Sequence, residues 1–228
     1  MERLEAWAAE ALADPRAVAL DCETTGLEWD ARIVDLAVVS VVGRETLVDS
    51  LVDPGVPIPV EAERIHGIGD AMVAGQPGFG NLVGRLGEVL AGRRVLIYNA
   101  AFDTARLRHE LGLYFADQVA REAAAGVFAV EEPPEGLGER VRVEASARTA
   151  AWMGRASWED VMIPFSDWVG EEDEYHGGYR WQRLGGGHRA LGDCLALVDR
   201  LEEMGRRVRA GVPGQGVRQG CDSEGVAV

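Results

Sequence analysis

Ala17-Val18-Ala19-Leu20 is an unbroken apolar run that ends in Asp21-Cys22-Glu23 and then in Thr24-Thr25-Gly26. A short apolar run closed by a turn signal reads as a central, buried strand. Residues i and i+2 of a strand project from one face about 6.6 Å apart, so Asp21 and Glu23 point the same way and Cys22 points into the opposite layer. Two carboxylates at the end of a buried strand repel each other unless a proton or a cation lies between them. The carboxyl end of a central strand in an open α/β sheet is also where such folds hold ligands. Spacing alone says little, because Asp222-Ser223-Glu224 repeats it in a Gly-rich polar tail.

The rest of the chain builds a sheet and its cover around that strand. Residues 2–12 have apolar positions at helical spacing. Ile33 to Val42 and Thr46 to Val52 read as a β-hairpin turned through Gly43-Arg44. A helical turn at Glu61 to Ile65 follows, then a helix from Phe79 to Leu90, a strand from Arg94 to Tyr98 and a helix from about Ala101 to Leu111. A meander followed by alternating strands and helices predicts a mixed α/β sheet covered on both faces. Residues 114–157 are expected to be an insertion with an Ala-rich helical stretch, a turn at 131–136 and a strand over Arg140-Val141-Arg142-Val143-Glu144. The last helix is expected from about Ala190 to Arg209. Residues 1–209 should form one domain and 210–228 a disordered tail.

Charge removes several classes of function. There are 23 basic residues against 38 acidic ones, a formal net charge of −15, and every basic residue is Arg. Without lysine there is no lysine Schiff base and no phosphate-binding loop ending in Gly-Lys-Ser/Thr. An acidic surface also opposes tight wrapping of duplex DNA, whose affinity comes largely from displaced counterions. Three cysteines (Cys22, Cys194 and Cys221) with no Cys-x-x-Cys spacing argue against zinc sites and disulfides. No apolar run reaches the roughly 18 residues of a membrane span and the first residues do not resemble a secretory signal, so a soluble cytoplasmic protein is expected.

Two further clusters carry chemistry. Asn99-Ala100-Ala101-Phe102-Asp103 passes from strand to helix and puts Asp103 near the first helical turn, where the helix dipole favours an acid; Phe102 is expected in the core. His188-Arg189-Ala190-Leu191-Gly192-Asp193 opens the last helix. Five helical steps of about 100° leave two side chains about 140° apart, so His188 must lie in the preceding loop to face Asp193. Gly185-Gly186-Gly187 supplies the mobility for that.

These segments, with Ile65-His66-Gly67-Ile68 and in this order, resemble the DEDDh 3′–5′ exonucleases, the DnaQ-like group that includes the proofreading subunit of bacterial DNA polymerase III. The resemblance covers about residues 15–112 and 158–205. It implies a ribonuclease H-like α/β fold, a five-stranded mixed sheet flanked by helices. It also implies hydrolysis from single-stranded DNA 3′ ends with two divalent ions, Mg2+ or Mn2+, as cofactors. Asp21 would bridge the ions, Glu23 and Asp193 would complete one ion site, Asp103 would hold the second ion, and His188 would be the general base. Glu61 and His66 correspond to residues near the terminal nucleotide, Thr24, Gly26 and Leu27 to the turn that receives the 3′ end, and Phe102 could stack on a base. The alternatives are an exoribonuclease of the same fold and a non-catalytic interaction module. A polymerase is conceivable as partner, but no clamp-binding segment is evident. The chain departs from compact members in the length of 114–157 and in the short segment before His188, where a helix common in the family is missing or cut short.

Overall fold

The computed structural model describes residues 1–126, 137–175 and 177–209. The central strand β1 (Ala17–Thr24) pairs antiparallel with β2 (Ile33–Ser40), which pairs antiparallel with β3 (Thr46–Leu51). On its other side β1 lies parallel to β4 (Arg94–Ile97), and β4 lies parallel to β5 (Ser157–Asp160). The result is the expected five-stranded mixed sheet, in the order β3-β2-β1-β4-β5. The turn between β2 and β3 uses Gly43 and Arg44 at positive φ, as a tight hairpin requires.

Side-chain alternation along β1 and β2 divides the core in two. Val18, Leu20, Leu36 and Val38 face one layer, built by α4 (Phe79–Leu90), α5 (Ala100–Ala124) and α6 (Leu137–Met153). Ala17, Ala19, Ala37 and Val39 face the other layer, built by α1 (Glu2–Ala13), α7 (Met162–Val169) and α8 (Ala190–Arg209). A satellite cluster of Val34, Ile58, Ala62, Ile68 and Val73 packs α2 (Val60–His66) and α3 (Asp70–Val73) against the end of β2.

Two elements differ from the sequence expectation. The helix expected to end near Leu111 continues to Ala124, and the expected strand Arg140 to Glu144 lies inside α6. Five alternating residues fit a helix as well as a strand. Here Ala145, Thr149, Trp152 and Met153 are buried at helical spacing, and Trp152 and Met153 enter the main core. Arg148 ties α6 to α5 through Glu122 and also pairs with Glu144, while Arg142 pairs with Glu139. The turn expected at 131–136, His176, and the tail 210–228 with Cys221 and Asp222 to Glu224 lie outside the described residues.

Candidate active site

The cleft originates in unequal strand lengths. β4 covers β1 only from Ala17 to Ala19, then leaves the sheet and turns at Asn99 (φ 65°), a left-handed conformation that Asn tolerates. Asp160, at the end of β5, anchors that turn: one carboxylate oxygen accepts the Ala100 N–H at 2.6 Å and the other the Ile163 N–H at 2.9 Å. One side chain thus satisfies free amides at the starts of both α5 and α7. In the first turn of α5, Asp103 fills the exposed edge of β1. Its Oδ1 accepts the Cys22 N–H at 3.0 Å and the Cys22 thiol at 3.1 Å.

The other acids come from the opposite layer. Asp21 and Glu23 share a face of β1, and Asp35 stands opposite Glu23 in the antiparallel register. Above them α8 begins, with His188 in the preceding loop at φ 58° and Asp193 in the first helical turn. Ligand-type atoms of Glu23, His188 and Asp193 all lie within 4.8 Å of one another. The glycines have a reason beyond mobility. A Cβ at Gly186 would stand 1.9 Å from Asp193 Oδ1, and one at Gly192 would stand 2.8 Å from the Gly186 carbonyl oxygen. The loop therefore crosses the first turn of α8 at a distance only glycine permits.

Crowding of acids dominates the electrostatics. Burial, then the charges of Asp103, Asp193 and Glu23, push the Asp21 carboxyl well above its ordinary range. Burial, then Asp193 and Asp35, raises Glu23 to about 7, with Arg189 pulling the other way. Burial raises Asp103 to about 7 despite its two hydrogen bonds from Cys22. Asp193 is raised by burial and partly relieved by His188. Asp193 Oδ1 and Asp35 Oδ1 are buried without a hydrogen-bond partner. Orphaned carboxylate oxygens among mutually repelling acids are a donor set that a hard divalent cation would satisfy, so the residues fit the metal that the sequence resemblance implies.

The remaining candidates are spread around the cleft. Thr24 is buried and donates its hydroxyl to the Gly26 carbonyl at 2.7 Å, shaping the turn, while Leu27 projects into solvent with 83% of its surface exposed. Glu61 is exposed on α2. His66 is buried with both ring nitrogens engaged: Nδ1 accepts the Ile68 N–H at 3.0 Å, so Nε2 carries the proton and donates to the Thr24 carbonyl at 3.2 Å. No ring nitrogen of His66 is left for a nucleotide, and the residue props the end of β1. Phe102, expected in the core, is instead half-buried with the Arg106 guanidinium 5.5 Å from its ring centre.

Sequence reading missed Asp35, Asp160 and the Arg32–Glu110 pair. Glu110 is buried on α5 and accepts Arg32 Nε at 2.8 Å, Arg32 Nη2 at 2.9 Å and the Ile33 N–H at 3.0 Å, clamping the β1–β2 connection onto α5. The available signal was a lone acid in an apolar stretch, as in Ile33-Val34-Asp35-Leu36-Ala37-Val38-Val39.

A five-stranded sheet of this order, flanked by helices and with acids from β1, α5 and α8 gathered over its open edge, has the ribonuclease H-like fold. The profile of the RNase T exonuclease family matches residues 18–128. An exonuclease of Escherichia phage 186, CP81, is 29% identical over 219 residues, covering 90% of this chain and 94% of its own. The DNA polymerase III epsilon subunit of Rickettsia conorii is 33% identical over 103 residues, 43% of this chain and 45% of its own. Among solved structures, E. coli exonuclease I in complex with a 5cy-dT13 oligonucleotide superimposes with a TM-score of 0.54 at 14% identity, over 85% of this chain and 43% of its own. Over residues 18–128 the chain is similar to the RNase T exonucleases and to DnaQ-like proteins, and it is a nuclease. It spans nearly the whole phage protein but less than half of the epsilon subunit.

Proposed function

We propose that residues 1–209 form a single metal-dependent 3′–5′ exonuclease domain that removes nucleotides from single-stranded DNA ends. The observation that carries this is the convergence of Glu23, His188 and Asp193 within 4.8 Å, in a cluster with the half-buried Asp21 and the buried Asp103. A retired site has no physical reason to keep four mutually repelling acids together. Similarity to the phage exonuclease over almost its full length supports the same reading.

Asp21, Glu23 and Asp193 would hold one divalent ion, and Asp103 with Asp21 a second, Mg2+ or Mn2+ according to the hard oxygen donors. Bound there, such ions neutralise the phosphate and lower the pKa of a bound water. His188 is exposed at the mouth, where an imidazole can take the proton of the attacking water as its oxygen bonds to phosphorus. The bond from phosphorus to the 3′ oxygen breaks and that oxygen is protonated, leaving a shortened strand with a 3′ hydroxyl. Thr24, Gly26 and Leu27 would form the turn that receives the 3′ end, Glu61 and Phe102 would contact the terminal nucleotide, and His66 holds the Thr24 carbonyl that ends β1.

The test is degradation of 5′-labelled DNA and RNA oligonucleotides with Mg2+ or Mn2+, comparing wild type with Asp21→Ala. A ladder shortening from the 3′ end of DNA, absent in the variant and without metal, is expected. Faster shortening of RNA would reassign the substrate, and no cleavage of either would overturn the enzyme reading.

A further inference from the structure

Arg189 stands between His188 and the first residue of α8. Its Nε donates to Asp35 Oδ2 at 2.8 Å, and the same oxygen accepts the Ala190 N–H at 3.2 Å. Asp35 is only 1% exposed, whereas the Arg189 side chain is 46% exposed. Neither Nη of Arg189 hydrogen-bonds to another described residue, so a half-exposed guanidinium fixed at one edge, close enough for its charge to act on Glu23, keeps two terminal donors for a ligand. A strap between β2 and α8 does not require it, because the Ala190 amide already makes that connection.

This cation is oddly placed for a site that gathers acids. Its charge acts on Glu23 and opposes the acids around it, so it would weaken cation binding at the same carboxylates. The cost is offset if an anion enters beside it. The chain has no lysine and a net charge of −15, so its surface gives little general attraction for a nucleic-acid backbone. A local, preoriented contact must supply it, and a guanidinium held at Nε presents the planar pair of donors that matches two phosphate oxygens. We propose that Arg189 binds a non-scissile backbone phosphate of the entering strand, and that buried Asp35 is the residue that positions it. The proposal rests on the nuclease reading of the same cleft.

Binding would be measured by fluorescence anisotropy with 5′-labelled oligonucleotides in Ca2+. Each strand carries one uncharged methylphosphonate at the first, second or third linkage from the 3′ end. At one linkage, the methylphosphonate should weaken wild-type binding about tenfold. Arg189→Met should weaken binding of the all-phosphate strand by a similar factor, and the two changes together should cost no more than either alone. Asp35→Asn should give a smaller loss that couples to the same linkage, and Arg189→Lys a partial recovery. Should Arg189→Met fail to fold, Asp35→Asn and Arg189→Lys still carry the comparison. Losses that multiply at every linkage would overturn the assignment. Wild type that fails to shorten the all-phosphate strand in Mg2+ or Mn2+ would remove the exonuclease reading, whereas shortening without coupling would remove only the role of Arg189.

Discussion

Burial of Asp103 predicts that the metal-free protein loses stability as pH rises through neutrality. Its carboxyl is raised from 3.8 to about 7, chiefly by burial, so the folded state holds a proton that the unfolded chain releases near 3.8. The corresponding stability is fully present below 3.8 and is lost as pH climbs through about 7. Three pKa units amount to about 4 kcal/mol, of which about 2 kcal/mol falls between pH 5.5 and pH 8. Glu23 acts in the same direction but is more open to water and contributes less. Asp103→Asn removes the titration while keeping an oxygen to accept the two Cys22 hydrogen bonds. Urea unfolding in EDTA should therefore show wild type losing about 2 kcal/mol more than Asp103→Asn between pH 5.5 and pH 8. Saturating Mn2+ should restore the wild-type loss at pH 8, because the ion binds the ionised acids of the folded state. Equal pH slopes for the two proteins would refute the argument that the cleft holds Asp103 protonated.

His188→Ala should keep Mn2+-linked stabilisation and lose turnover by at least about a hundredfold; a near-normal rate at saturating metal would exclude the imidazole as base. Gly186→Ala should displace the Asp193 carboxylate, seen as a rightward shift of the metal titration with little change in far-UV circular dichroism. Glu110→Ala leaves Arg32 without its carboxylate and should lower unfolding free energy by about 3–5 kcal/mol in denaturant titrations. Asp160→Ala uncaps α5 and α7 together and should cost about 1–2 kcal/mol in the same assay.

Much of the fold was readable because its signals are local. The run from Ala17 to Leu20, closed by Thr24-Thr25-Gly26, reads as a buried strand, the hairpin announced itself at Gly43-Arg44, and α4 and α8 carry apolar faces at helical spacing. The five candidate residues stood out for a related reason: Asp21 and Glu23 lie in the second half of β1, Asp103 in the first turn of α5, and His188 and Asp193 around the start of α8, so each polar group interrupts an apolar run or precedes a packed face. Arg140 to Glu144 misled because five residues carry too little periodicity to separate a helix from a strand; burial of Trp152 and Met153 settled it.

What the sequence determined by itself is therefore the list of parts: a sheet covered on both faces, an acidic cluster at the end of its central strand, and a chain unable to hold phosphate with lysine. Tertiary structure decided how those parts meet. Arg32 finds Glu110 across 78 positions, Arg189 finds Asp35 across 154, and Gly186 lies against Asp193 because two chain segments cross there. Such partners are chosen by the registry of strands and the docking of helices. A single side chain carries no record of that choice, since a buried acid and a solvated one are the same letter until the fold removes the water.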